Sequence, residues 1–133
     1  MDDSCGSLLK KFYFSETLLM YRTRSRVCNN PKIVHMNKIT ILGAGLSASS
    51  LIQYLLDQAP AHQWKVRLGD KDLATAQRKI GSSQHGEAFA FDVSNEQQVI
   101  EEVAKSTVVI SMLPARFHPV VAKACIAHHK HMI

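Results

Sequence analysis

The feature that most constrains this chain is a glycine-rich motif, Gly43-Ala-Gly45-Leu-Ser-Ala48, placed between two segments of different periodicity. Before it, residues 38–43 (KITILG) predict a short buried strand. After it, residues 45–58 carry apolar side chains at i, i+3, i+4, i+7 and i+8, which predicts an amphipathic helix. The backbone must therefore turn tightly from a strand into a helix at the glycines.

The alternation of strand and helix continues to the last residue. Further strands are predicted at 64–69, 87–91, 107–113 and from 131, and further helices at 72–80, from 94 and at 117–129. Pro60 is expected to stop the first helix, and Ser94 with Gln97 has the spacing of a capping box. Such alternation predicts an α/β fold, a Rossmann-like doubly wound parallel sheet with helices on both faces.

The glycine motif matches the GxGxxA variant of the dinucleotide fingerprint at the strand-to-helix position that its mechanism needs. Gly43 would permit the tight turn, and Gly45 would let the backbone approach a pyrophosphate. Ala48 would allow close packing of the helix on the strand. The amide groups and dipole of the helix N-terminus would then face the phosphates.

Two carboxylates follow predicted strands. Asp70 lies 22 positions after Ala48, near the spacing expected for an acid on the adenosine ribose. A carboxylate there repels a 2′-phosphate, so the sequence favours NAD over NADP, although Lys71 and Arg78 would offset that repulsion. Asp92 ends the third strand on the adenine side, where a cofactor contact and a solvated loop carboxylate are equally compatible with the sequence.

The loop after the fourth predicted strand should face the nicotinamide half of a bound cofactor, because ligands of open parallel sheets bind at the carboxyl ends of the strands. Ser111, Leu113 and Pro114 are candidates for main-chain or apolar contacts there. Arg116 and His118 could instead contact an anionic substrate or relay a proton, or simply open the following helix.

Composition excludes several classes of partner. Residues 1–38 hold seven Lys or Arg against three Asp or Glu, so most of the net charge of +5 lies there and the rest of the chain lacks the basic face of a nucleic-acid binder. No run of about 18 apolar residues predicts a membrane span. The three cysteines are far apart, and the histidines near the C-terminus have no partner at ligand spacing, so no metal is predicted. A cytoplasmic location is the default expectation.

A change in composition near Met36 divides the chain. Residues 1–36 are predicted to be an unstructured, disordered N-terminal extension, with a targeting peptide and a basic binding arm as alternatives. Residues 37–133 are predicted to form the dinucleotide-binding domain.

Four segments carry a family resemblance: residues 41–48 (ILGAGLSA), 69–70 (GD) at a strand end, 90–93 (AFDV) and, most specifically, 109–126 (VISMLPARFHPVVAKACI). Through them the chain from Ile39 to Ile133 resembles the N-terminal half of the saccharopine dehydrogenase (saccharopine reductase) family. The resemblance implies an NAD(P)-dependent oxidoreductase that transfers hydride between a nicotinamide cofactor and an imine, in lysine metabolism. Relatives act on carboxyspermidine-type or homospermidine-type substrates.

The resemblance also implies site residues. The family's phosphate-binding positions correspond to Gly43, Gly45, Leu46, Ser47 and Ala48. Its ribose and adenine positions correspond to Asp70 and Asp92, and its nicotinamide-side positions to Ser111, Met112, Leu113 and Pro114. Some relatives that use NADP carry a basic residue where this chain has Asp70.

Family members continue for some hundreds of residues through a substrate-binding domain. We therefore expect this sequence to be a truncated piece whose sheet is incomplete at the C-terminus and whose catalytic residues are unknown. The full-length protein would take a small amino-acid-derived substrate, with a homodimer left open. The alternatives are a stand-alone NAD(P)-binding or regulatory module without catalysis, and a different Rossmann enzyme.

Overall fold

The computed structural model describes residues 37–133, and the predictions made for residues 1–36 lie outside the described residues. Strands and helices alternate as the sequence predicts. The strands are β1 (Asn37–Leu42), β2 (Trp64–Asp70), β3 (Gly86–Ala90), β4 (Val108–Ser111) and β5 (His131–Met132). The helices are α1 (Ser49–His62), α2 (Leu73–Ile80), α3 (Glu96–Ala104) and α4 (His118–Ala127). Short 3-10 turns, Leu46–Ala48 and Ala115–Phe117, lead into α1 and α4.

The five strands form one sheet in the order β3-β2-β1-β4-β5, and every pairing is parallel. The chain begins in the centre at β1, moves outward to β3, and then returns to β4 on the other side of β1. This is the doubly wound arrangement predicted from the sequence. The strand order reverses between β1 and β4, and all strands end at the same edge, so a crevice is expected there.

Two apolar layers cover the sheet. One joins β1 and β2 to α1 and α2 and includes Ile41, Ile52 and Leu68. The other joins the sheet to α3 and α4 and includes Leu42, Val99 and Val121. Burial of strand residues on both faces explains why β4 has no alternation of polar and apolar residues. Within residues 37–133, no helix is both long and apolar enough to cross a bilayer.

The expectation that Pro60 stops the first helix is wrong, because α1 runs on to His62 with Pro60 inside its last turn. Proline lacks an amide hydrogen, so the helix forgoes one hydrogen bond there. The turn still closes, since Gln63 adopts a left-handed conformation and its N–H donates to Ala59 O.

The capping box predicted at Ser94 is also wrong. Asn95 caps α3, and its side chain accepts from Gln98 N at 3.2 Å. Ser94 N instead donates to the Asp92 carboxylate at 2.9 Å. Asp92 thus engages Ser94 in the loop, and the helix begins one residue later than predicted.

Candidate functional site

Gly43 makes the turn out of β1 in a conformation that favours glycine, with φ of +105°. A β-carbon at this position would lie 2.7 Å from Met112 O, so the loop after β4 packs directly on the glycine. Met112 N also donates to Leu42 O at 2.8 Å. The predicted role of Gly43 in a tight turn matches this geometry, which brings the ends of β1 and β4 into contact.

Gly45 differs from Gly43 because it faces open space. Among the described residues, no atom lies within 4 Å of the position a β-carbon would take. The amides of Gly45, Leu46 and Ser47 precede the first turn of helix and have no recorded acceptor among residues 37–133. Leu46 is 97% exposed, whereas Ala48 is fully buried against the sheet. The loop therefore offers unpaired N–H groups, at the N-terminus of α1, to an anion that approaches the backbone.

Asp70, the last residue of β2, holds the glycine loop from the other side. One carboxylate oxygen accepts from Ala44 N at 2.6 Å and the other from Asp72 N at 2.9 Å. Both oxygens thus bond main-chain amides, with further lone pairs left for a ligand. Asp72 caps α2 as predicted, since it accepts from Ala74 N. A hydrogen bond from Thr75 lowers the pKa of Asp72.

Lys79 is a contact of the glycine loop that the sequence analysis missed. Its ammonium donates to Gly45 O at 2.6 Å and to Ser49 Oγ at 2.8 Å. Lys79 lies in the last turn of α2, 34 residues away from Gly45. No local pattern links the two positions, so only the packing of α2 beside α1 reveals the contact.

A pocket of about 270 Å³ opens beside Asp70 at the carboxyl ends of the strands. Its walls include Asp70 and Asp92, which were predicted at the ribose and the adenine. Leu113 and Pro114, which were predicted on the nicotinamide side, line the same pocket. Lys71 and Arg116 add positive charge, and the Arg116 guanidinium stacks over the Phe117 ring at 4.7 Å. Hydrogen bonds from Ser94 lower the pKa of Asp92.

Ser111 and Met112 lie at the junction between this pocket and the glycine loop. Ser111 ends β4 opposite Leu42 of β1. Its hydroxyl forms a 2.7 Å hydrogen bond with Nδ1 of His118, the first residue of α4. Ser111 and His118 are both candidate site residues in the sequence, but no sequence pattern predicts that they are hydrogen-bonded to each other. Across the described part of the chain, no group of three or more His, Cys, Asp or Glu side chains lies together as a metal site would require.

Comparison with known proteins agrees with this geometry. The family model described as the saccharopine dehydrogenase NADP binding domain matches residues 39–133, which is most of the chain. The match covers the glycine loop, Asp70, the pocket and the Ser111–His118 pair.

Two named relatives illustrate the match. One is a saccharopine dehydrogenase [NADP(+), L-glutamate-forming] of Pyricularia oryzae, 30% identical over 71% of this chain and 20% of that protein. The other is a mitochondrial alpha-aminoadipic semialdehyde synthase of Bos taurus, 30% identical over 72% of this chain and 10% of that protein. This chain thus spans a fifth or less of the length of these relatives.

Solved structures give the same result. An apo, histidine-tagged saccharopine dehydrogenase (L-Glu forming) of Saccharomyces cerevisiae superposes with a TM-score of 0.65 at 28% identity, over 72% of this chain and 21% of that one. A Rossmann-fold NAD(P)-binding family protein of Shigella flexneri superposes with a TM-score of 0.61 at 22% identity, over 74% of this chain and 50% of that one. At that identity the second structure supports the fold alone.

Proposed function

The chain belongs to the saccharopine dehydrogenase family through the NADP-binding domain at residues 39–133, and on that premise we propose that it is the cofactor-binding part of an oxidoreductase acting on a C–N bond. Fold alone would not support this step, since one fold hosts many functions. The proposal concerns the dinucleotide site, the phosphate preference, the substrate class and the residues that take part.

The observation that carries the proposal is the open cradle at Gly45. Within residues 37–133, no atom occupies the space where a side chain of residue 45 would stand, and the three neighbouring amides donate to no acceptor. The cradle lies at the switch between β1 and β4, where dinucleotides cross the sheet. We expect the pyrophosphate to accept hydrogen bonds from these amides, with Gly45 allowing close approach, Leu46 and Ser47 flanking it, and Ala48 packing the start of the helix on the sheet.

The adenosine half would occupy the 270 Å³ pocket. Asp70 would accept hydrogen bonds from the ribose, and Asp92 would lie near the adenine between Leu113 and Phe91. Met112 and Ser111 would face the nicotinamide half, whose ring accepts or donates the hydride when the cofactor is bound. The protein's own contribution is to orient that ring and exclude water around it.

The next question is whether the site prefers NAD or NADP. The negative charge of Asp70 favours NAD, whereas the family description and the name of the fungal relative favour NADP. We propose NADP(H), because two main-chain amides already bond the Asp70 carboxylate and Lys71 lines the same pocket. The 2′-phosphate would then lie on the Lys71 side of the ribose.

Glycine 45 gives the test of dinucleotide binding. Gly45→Ala places a methyl group in the cradle but not against any protein atom, and its φ of −62° suits alanine. We expect the variant to fold normally and to bind NADPH at least about tenfold more weakly, equivalent to 1.4 kcal/mol. Ser50→Ala, an exposed change in the first turn of α1, is the matched control. Equal NADPH affinity of Gly45→Ala and wild type in calorimetry would contradict the proposal.

The substrate class needs a separate test. We propose that the full-length protein oxidises or forms a secondary amine of the saccharopine type, with a carboxyspermidine-type substrate as the alternative. Grafting residues 39–133 in place of the matching segment of the Pyricularia relative gives a chain of full length. NADPH formation from saccharopine by this chimera supports hydride transfer by a cofactor held in residues 39–133, and the substrate class itself is tested by offering both substrates to the full-length protein. A chimera that binds NADPH but reduces no cofactor with either substrate favours a binding module without catalysis.

Compartment and assembly remain part of the proposal. We expect a cytoplasmic protein that forms a homodimer at full length, whereas the bovine relative is named mitochondrial. A fluorescent fusion located in mitochondria would overturn the first expectation. A monomeric mass in solution would overturn the second.

A further inference from the structure

Two polar side chains meet at the switch between β1 and β4 without serving the pyrophosphate cradle or the adenosine pocket. Ser111 Oγ and His118 Nδ1 lie 2.7 Å apart, and both residues are half-buried. Their bond joins the last residue of β4 to the first residue of α4 across a loop of six residues. Neither side chain has another recorded partner within residues 37–133.

The position of this pair in the sheet assigns it to one half of a dinucleotide. Ser111 pairs with Leu42, directly before Gly43, so its hydroxyl lies beside the glycine loop. The adenosine pocket includes Asp70 and Asp92, which follow β2 and β3 on one side of β1. Leu113, Pro114, Arg116 and Phe117 of the loop after β4 complete its wall, but Ser111 and His118 themselves do not line it. β4 lies on the opposite side of β1, where the other mononucleotide half of a bound dinucleotide lies.

The hydrogen-bond inventory shows what the pair can offer. A serine hydroxyl has one donor and two acceptor positions, and its proton otherwise rotates freely. The bond to His118 Nδ1 uses the hydroxyl proton when Nδ1 is the acceptor, or an oxygen lone pair when Nδ1 carries the proton. In either case at least one position of Ser111 Oγ stays available for a ligand group, and the bond holds the oxygen in place before the ligand arrives.

We propose that His118 is a positioning residue that holds the Ser111 hydroxyl to hydrogen-bond the nicotinamide riboside half of the cofactor. This inference rests on the proposed function, because it presupposes a bound nicotinamide dinucleotide. It assigns Ser111 a side-chain contact and gives His118 a role that acts through Ser111. A purely structural bond between β4 and α4 is the alternative that the test must separate.

The test compares two ligands on the full chain by calorimetry. NADPH carries the nicotinamide riboside, whereas adenosine 2′,5′-bisphosphate carries only the adenosine half. We expect Ser111→Ala and His118→Ala each to weaken NADPH binding about fivefold, the usual effect of one lost hydrogen bond, and to leave the bisphosphate within twofold of wild type. The double variant should be no weaker than either single variant, because the two residues act as one unit.

His118→Asn supplies the rescue, since an asparagine amide can place a polar atom near the position of Nδ1. We expect it to recover most of the NADPH affinity that His118→Ala loses. Equal losses for both ligands, or a His118→Ala variant with wild-type NADPH affinity, would overturn the inference while leaving the proposed function intact. A wild-type chain that binds neither ligand would overturn the proposed function and this inference with it.

Discussion

At the scale of single residues, the Asp70 carboxylate has two opposing effects on the proposed site. Its oxygens accept from the amides of Ala44 and Asp72, which fixes the glycine loop to the end of β2. The same negative charge lies where the 2′-phosphate of NADP would bind in the proposed complex. Asp70 is therefore both a structural hydrogen-bond acceptor and a negative charge that repels the 2′-phosphate of the proposed cofactor.

Asp70→Asn separates the hydrogen-bonding effect of this side chain from the effect of its charge. The amide keeps an oxygen for Ala44 N–H but removes the charge, so we expect the ratio of NADPH to NADH affinity to rise about tenfold. Fluorescence titration with both cofactors measures the ratio. Asp57→Asn removes the same charge from an exposed position of α1 and should leave the ratio unchanged. A constant ratio in Asp70→Asn would show that the carboxylate does not face the 2′-phosphate.

The residues of the glycine loop could be predicted because their chemistry is local. Gly43, Gly45 and Ala48 follow one another in the sequence, and each is explained by the turn that contains it. Lys79 and the pairing of Ser111 with His118 could not be predicted in the same way. Those contacts join residues in different elements, and their geometry depends on how the helices pack.

At the scale of elements, β2 and α3 are joined by a buried ion pair. Arg67 of β2 contacts Glu102 of α3 at 2.5 Å, and both side chains are about nine-tenths buried. Glu87 and Lys105 extend the network at 3.3 Å and 2.8 Å. The Arg67 guanidinium also lies 4.6 Å from the centre of the Phe89 ring. The network joins α3 to β2 beside the second apolar layer.

Glu102→Gln should destabilise the chain by about 3 kcal/mol, because it leaves the buried charge of Arg67 with only the more exposed Glu87. Urea unfolding at pH 7 measures the loss. Glu101→Gln, an exposed change on the same helix, is the control. The double variant Arg67→Met, Glu102→Leu should be much less destabilised than Glu102→Gln, since no charge remains unpaired. Equal destabilisation of both variants would argue against a buried-charge effect.

The same pair predicts an acid dependence of stability. Burial raises the pKa of Glu102, but hydrogen bonds from Lys105 and Arg67 outweigh that effect, so its net pKa is lowered in the folded chain. The stabilisation is therefore complete above the unfolded value near 4.3 and is lost as pH falls through the lower folded value. We expect wild type to lose more stability than Glu102→Gln between about pH 5 and pH 3. Parallel pH profiles of the two chains would contradict this.

Element boundaries show where sequence reasoning stops. Every strand and helix was predicted, since periodicity reports the burial pattern of the doubly wound sheet. The register of α3 was wrong by one residue, because Asn95 and Ser94 are both good capping residues and the Asp92 bond to Ser94 decides between them. Ile100 of this helix is apolar but 39% exposed, whereas the charged Glu102 is buried. An ionic partner in β2 made a charged residue suitable there.

At the scale of the molecule, the features on which the proposed cofactor site depends all lie within residues 37–133. Both apolar layers, the glycine loop, the pocket and the Ser111–His118 bond are formed by residues 37–133. The formal charge of the sequence is distributed differently, because most of the net charge of +5 belongs to residues 1–38. We therefore expect residues 37–133 to provide stability and specific cofactor recognition, and the basic residues before them to provide a general attraction for anions.

This division predicts the behaviour of a chain that starts at Met36. We expect it to melt within about 2 °C of the full chain, because a change below 0.5 kcal/mol shifts the melting temperature of a domain of this size by no more than a few degrees. Its NADPH affinity at 0.15 M salt should match that of the full chain, and Gly45→Ala should weaken it equally in both. At 0.01 M salt the full chain should bind NADPH more tightly than the shorter one, since a long Debye length lets distant positive charges attract the phosphates. A shorter chain that unfolds without a cooperative transition would show instead that residues 1–35 complete the fold.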